Sequence, residues 1–421
     1  MFVGITYNKN IAKFNNIVNL RKYGIKFYII TAIFALLFFV IFFTNVNGVA
    51  VAEQDDVVSV EEELENATED ILNDIDFGEL EEMVASFQGD FDLFGGDSLK
   101  DFLLKVIRGE ETLELSDIFN VLLSGIKESF KSILAPLLII LTIALLCVMF
   151  NNVRSGKLSG VSEIIYLICF SVIVIIVSSL AASLISKSKS AISNIQNQMN
   201  IVFPILLTLM TTMGGTVSVK AYTPMLSVLS GTITNLFVYV LLPLFSFSLI
   251  LAIIGNLSNN TKLSKLNGFV SSIFKWVIGC VFAVFMCFLS LKGITAGASD
   301  GISIKATKYA IKNYIPLLGG YISDGFELIK AGGMLVKNAT GFASLIILLA
   351  TIIVPIVSIG ILELGLKLLA GVVEPIGDNR VSGLLYDIAK SLKLLIAIIV
   401  GVSLMYFLTI FLITCSVSNF V

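Results

Sequence analysis

The stretch Lys305–Gly325, KATKYAIKNYIPLLGGYISDG, is too charged to cross a bilayer alone and too apolar for an ordinary loop. At about 100° per residue, Lys305, Lys308 and Lys312 fall within ~60° of one another, with Ala306, Ala310, Ile311 and Tyr314 opposite. That spacing predicts a basic amphipathic helix at a membrane interface. Pro316 ends it, and Gly319 and Gly320 permit a tight turn. Whether the chain crosses or turns back here decides the topology of everything that follows.

The surroundings are those of a membrane protein. Hydrophobic residues make up 56% of the 421 and charged ones only 14%, and the mean hydropathy is +0.95, well beyond soluble domains. The net charge of −3 hides three segments. Residues 1–52 hold five basic and no acidic residues; 53–128 hold 23 acidic and 4 basic, a net of −19; 129–421 hold 19 basic and 8 acidic, a net of +11. Fold and function are therefore read for three objects in series: a leader over 1–52, an acidic domain over 53–129 and a membrane domain over 130–421.

The leader has a basic start, an apolar run from Phe27 to Phe43 and Ala50-Val51-Ala52 before Glu53. These are the parts of a secretory signal peptide, and the run is also long enough for an uncleaved anchor. In both cases the acidic domain emerges outside the cytoplasm. There Val60, Leu64, Ala67, Ile71 and Ile75 make an apolar stripe on a helix that is otherwise acidic. A second helix is expected over Ser98–Arg108, with Asp97 as its cap and Gly109 as its stop. A third, capped by Ser116, runs on into the first span. One-sided helices in so short a segment need something to pack on: the membrane domain, another copy or another protein. A poorly ordered tether is the alternative. The charge repels nucleic acid and anionic headgroups.

Six spans are expected: Phe130–Phe150, Val161–Ile185, Pro224–Ile254, Phe269–Leu291, Phe342–Leu366 and Leu384–Thr414. Two pairs of prolines share one spacing, Pro204 with Pro316 and Pro243 with Pro355, each 112 residues apart. With the matching hydropathy around them they predict tandem repeats over 161–272 and 273–384, each a span, a re-entrant element and a span. Ile201–Met213 is only ~20 Å of helix, too short for a bilayer, so it is expected to enter and return with Gly214-Gly215 at the turn. The fold class is thus all-α and polytopic, with a small acidic helical domain outside the cytoplasm. Loops at Asn151–Gly160, Gly255–Gly268 and Lys367–Gly383 hold six basic residues and two acids, which places them in the cytoplasm.

Catalysis finds no footing. There is no histidine, no H-E-x-x-H and no phosphate-binding G-x-x-x-x-G-K-[ST], so neither enzyme activity nor a cofactor nor a metal is expected. The five cysteines lie in apolar runs and read as small buried hydrophobes. Glu363 is the acid nearest mid-span. It reads either as a coupling site or as the partner of Lys367, four residues on. Asp300, Asp324 and Glu327 beside Lys305, Lys308 and Lys330 read as a salt-bridged surface.

Several words carry a resemblance: Met213-Gly214-Gly215, Ala221 with Pro224, Leu241-Leu-Pro243-Leu, Lys305-Ala-Thr-Lys308, Ile315-Pro316, Asp324, Leu335-Val-Lys-Asn338 with Gly341, and Glu374-Pro-Ile-Gly-Asp378. Their order and spacing resemble the stage III sporulation protein AE family of endospore-forming bacteria, over nearly the whole chain. The resemblance implies a multi-pass protein of the mother-cell membrane facing the forespore. Its implied partners are the other membrane proteins of the stage III sporulation A operon and a forespore membrane protein, joined in an oligomeric transenvelope channel or secretion-like complex. A permease-like core or gating role is implied, with no catalytic residues to carry over. A stand-alone secondary transporter with its site between the repeats and a scaffold for other pore subunits are the alternatives.

Overall fold

The computed structural model describes residues 57–87, 94, 97–109, 115–152, 159–257, 263–314, 319–376 and 379–416. The leader over 1–52 lies outside them, as does Pro316. Residues 62–421 form one compact unit and 1–61 another. Among the described residues the chain is helical and has no strand.

Three short helices come first: α1 (Val57–Asp74), α2 (Gly78–Phe87) and α3 (Leu99–Arg108). The cap of α3 is Ser98, one residue later than Asp97. Its hydroxyl accepts from Asp101 N at 3.1 Å, while the carboxylate of Asp97 pairs with Lys105 instead. Gly109, at φ 70°, stops the helix as expected. Arg108 ties α3 to Glu65 and Glu69 of α1.

Six long helices follow: α4 (Leu115–Asn152), α5 (Ser159–Thr212), α6 (Thr216–Leu257), α7 (Ser264–Tyr314), α8 (Gly319–Val373) and α9 (Asn379–Ser416). All six are long and apolar enough to cross a membrane, and each contains one of the six expected spans. The largest contacts join α8 to α9, and α5 and α4 pack on α8. The acidic helices rest on this body: a Cβ on Gly332 of α8 would meet the side chains of Thr68 and Ile71 of α1. The packing surface that the acidic stripe needs is thus the membrane domain itself.

Ile201–Met213 is not a separate re-entrant element. Residues 201–212 are the last turns of α5, whose 54 residues make ~81 Å of helix against the ~30 Å bilayer core. The reason is local: Ser186–Asn200 is polar but holds neither glycine nor proline, so nothing breaks the helix. Of the equally spaced prolines, Pro204 sits inside α5, Pro243 inside α6 and Pro355 inside α8.

The length beyond a bilayer has a clear distribution of surfaces. Most large exposed apolar side chains lie toward one end: Leu138 and Met149 of α4, Leu167 and Ile175 of α5, Phe247 and Ile254 of α6, Phe269 and Trp276 of α7, Leu364 and Leu368 of α8. This end also gathers the short connections, since Cys147 reaches the carbonyl of Tyr166 and Asn256 of α6 reaches Asp387 of α9. Toward the other, distal end the same helices bury their apolar residues, among them Leu206, Met210, Leu229, Val336 and Ile410. They expose Thr208, Thr211, Lys220, Lys305 and Asn338 there. A lipid-facing band and a water-facing helical body are thus built from the same helices.

Candidate functional site

Polar chemistry gathers at the distal end. The α5–α6 turn is made by Gly214, at φ 85°, and by Gly215, where a Cβ would stand 2.9 Å from the carbonyl oxygen of Met210. Only glycine suits the first without strain, and only a residue lacking Cβ suits the second. The turn leaves the first N–H groups of α6 without helical acceptors. Asp300 of α7 accepts two of them, from Val217 at 2.9 Å and from Ser218 at 2.9 Å. Asp300 is only 1% exposed. It is therefore no part of a salt-bridged surface but an anion set on the positive end of a helix.

At the same end Lys337 of α8 is fully buried and donates to the carbonyl of Ile413 in the last turn of α9, at 3.5 Å. A cation there complements the negative end of that helix. Close backbone approach makes this possible. A Cβ on Gly333 would lie 2.8 Å from Cγ of Met213, and one on Gly341 would strike Thr414 of α9.

The α6 helix carries two widened turns, Val228–Ile233 and Phe237–Leu241. The second ends just before Pro243, whose ring would otherwise clash with the preceding turn. Gln196 of α5 donates to the carbonyl of Ser230 in the first, at 2.7 Å. Pro204 and Pro243 are exposed, while Pro355 is buried inside α8.

In the lipid-facing half, Glu363 is 4% exposed. It pairs with Lys367 one turn on, and Lys393 of α9 approaches within 3.6 Å. The intrahelical pair follows the sequence spacing; Lys393 adds a link between α8 and α9. Nearby links join the same helices to their neighbours, Asn256 to Asp387 at 2.9 Å and the buried hydroxyls of Ser129 and Ser358 at 2.8 Å.

The other residues singled out in the sequence are dispersed. Lys305 is exposed on α7, with Lys308 and Lys312 farther along that helix; Gly319 and Gly320 open α8, and Asp324 is exposed on it. An open cleft of about 560 Å³ separates α2 from α5, lined by Glu79, Glu82 and Ser86 against Asn194, Asn197 and Asn200. Among the described residues no cluster of three or more Cys, Asp or Glu could hold a metal ion. Asp300, Lys337, Lys393 and Gln196 carry more of the polar architecture than sequence reading assigns them. The signal for Lys337 is its place in an apolar helix between small residues.

The family model described as Stage III sporulation protein AE matches residues 98–417. Stage III sporulation protein AE of Bacillus subtilis (strain 168) is 27% identical over 325 residues, which cover 75% of this chain and 80% of that one. No solved structure matches the chain. The match takes in α3 and all six long helices, including the glycine turn, the Asp300 cap and the Glu363 seam, and the chain belongs to the stage III sporulation protein AE family.

Proposed function

We propose that the chain is a membrane subunit of a mother-cell-to-forespore transenvelope channel or secretion-like complex. In it the lipid-facing band anchors a permease-like core or gating element, and the distal body meets partners between the two membranes. The observation that carries this reading is the length of α5, α7 and α8, each over 50 residues, with apolar exposure concentrated in one half. A protein that only had to cross a bilayer has no use for helices of ~75 Å or more. The acidic helices sit on the projecting half, where a partner would reach them. The chain acts without a catalytic step and without a cofactor. Its partners are the other stage III sporulation A-operon membrane proteins and a forespore membrane protein.

The test is purification of the tagged full chain from sporulating cells in mild detergent. Co-purification of the other stage III sporulation A proteins, with loss of late forespore transcription when the chain is deleted, is the expected result. A chain that purifies alone, in a strain whose deletion leaves forespore transcription intact, would overturn the reading. The stand-alone transporter draws on one observation, the buried carboxylate of Glu363. Two lysines beside that carboxylate favour a structural ion pair instead.

A further inference from the structure

The distal part of α7 and the acidic helices stand at the same height on the body. Thr68 and Ile71 of α1 lie against Gly332; the adjacent Gly333 lies against Met213; and the start of α6, just past Met213, is held by Asp300 of α7. Beyond Asp300, α7 runs 14 residues further to Tyr314, ~21 Å of helix. This stretch carries Lys305, Lys308 and Lys312 at spacings of three and four, so their positions share one helix face. Lys305 and Tyr309 are exposed. The one acid of the stretch, Asp300, is buried and engaged by the backbone of α6. The face is basic.

The opposite charge lies on α1 and α2. From Glu62 to Phe87 there are ten acidic residues and no basic one. Arg108 engages Glu65 and Glu69, while Glu62, Glu63, Asp70 and Asp74 are exposed. Within one chain the two faces do not meet extensively. Among the described residues the acidic helices pack on α5 and α8, and α7 packs on α6, α8 and α9.

We propose that the basic face of α7 docks on the acidic α1–α2 surface of a second copy of this chain. Copies anchored in one bilayer share their orientation, so they are related by rotation about the membrane normal. Two different faces at equal height then meet head to tail, and repetition of that contact closes a ring. A two-fold contact would need both faces within one patch, whereas the acidic helices pack on α5 and α8 and the basic stretch belongs to α7, which packs on α6, α8 and α9. The contact rests on the membrane placement of the helices and not on the channel reading; a ring that conducts nothing would still form by it.

The full chain in detergent or nanodiscs, free of other sporulation proteins, tests this by native mass spectrometry and light scattering. The triple variant Lys305→Glu/Lys308→Glu/Lys312→Glu and the triple variant Glu62→Lys/Glu63→Lys/Asp70→Lys should each weaken self-association at least tenfold. The chain carrying all six substitutions should recover it, because the charges are exchanged and the contact preserved. Unchanged helicity and thermal midpoint show that each variant is folded. In a cysteine-free background, Lys305→Cys on one tagged copy should cross-link to Asp70→Cys on another. Parent-like assembly of both triple variants, or no recovery in the sixfold variant, would overturn the proposal. So would assembly that is unchanged while the lysine variant loses affinity for anionic-lipid nanodiscs, which would assign that face to headgroups. Because no partner protein is present, failure here is distinguishable from failure of the sporulation phenotype.

Discussion

Asp300 of α7 and Val217 of α6 are 83 residues apart in sequence and 2.9 Å apart in space, carboxylate oxygen to backbone nitrogen. With Ser218 N on its second oxygen, Asp300 fixes how α6 starts after the Gly214-Gly215 turn. Replacing it by alanine removes a side-chain cap and leaves two N–H groups unbonded, that of Ser218 buried, a loss of about 1–3 kcal/mol. Asp300→Ala is expected to lower the thermal midpoint of the purified chain by a few degrees, with Asp300→Asn between it and the parent. An unchanged midpoint would show that water replaces the cap.

The Glu363 seam makes a second prediction. Neutralising Glu363 leaves Lys367 and Lys393, both partly exposed, without their shared carboxylate, so Glu363→Gln should destabilise by about 1–3 kcal/mol. Removing the charges together should recover most of that loss. Glu363→Gln/Lys367→Gln/Lys393→Gln is expected to be more stable than Glu363→Gln alone. Additive losses would mean that the three charges do not interact.

Close packing of α8 on α9 at Gly341 makes a third. A Cβ there strikes Thr414, so Gly341→Ala should cost about 1–3 kcal/mol through forced displacement. Gly341→Ala/Thr414→Ser should regain part of it, because the methyl that is struck is gone. Equal stability of the single and double variants would locate the strain elsewhere.

Gln198 offers a substitution of the opposite sign. Its side chain is fully buried and neither its nitrogen nor its oxygen has a hydrogen-bond partner, a penalty of about 1–3 kcal/mol. Gln198→Met keeps the volume and removes the polar atoms. It should raise the thermal midpoint; a fall would show that the amide is satisfied in solution.

The division of the helices is tested by thiol labelling in a cysteine-free chain. Thr208→Cys lies on the exposed side of the distal end of α5, in a run that reads as apolar, and should react with a membrane-impermeant reagent. Ile175→Cys, on the same helix in the lipid-facing band, should not. Equal shielding of both would place the whole of α5 in the bilayer.

The all-α polytopic class, the six apolar spans, the acidic character of residues 53–128 and the turn at Gly214-Gly215 are legible in the sequence alone. These are local properties: hydropathy over twenty residues, net charge, and backbone conformations that only glycine or proline imposes. How far each helix extends, and what its polar residues touch, follow from packing. Residues 201–212 read as a short re-entrant piece because hydropathy falls over 186–200, yet hydropathy does not end a helix that lacks a breaker. Asp300 reads as a surface charge, and Lys337 goes unassigned, because their partners are backbone groups at the ends of α6 and α9, far away in sequence. Side-chain patterns foretell which face of a helix is apolar. Only packing brings a carboxylate to one helix end and an ammonium to another.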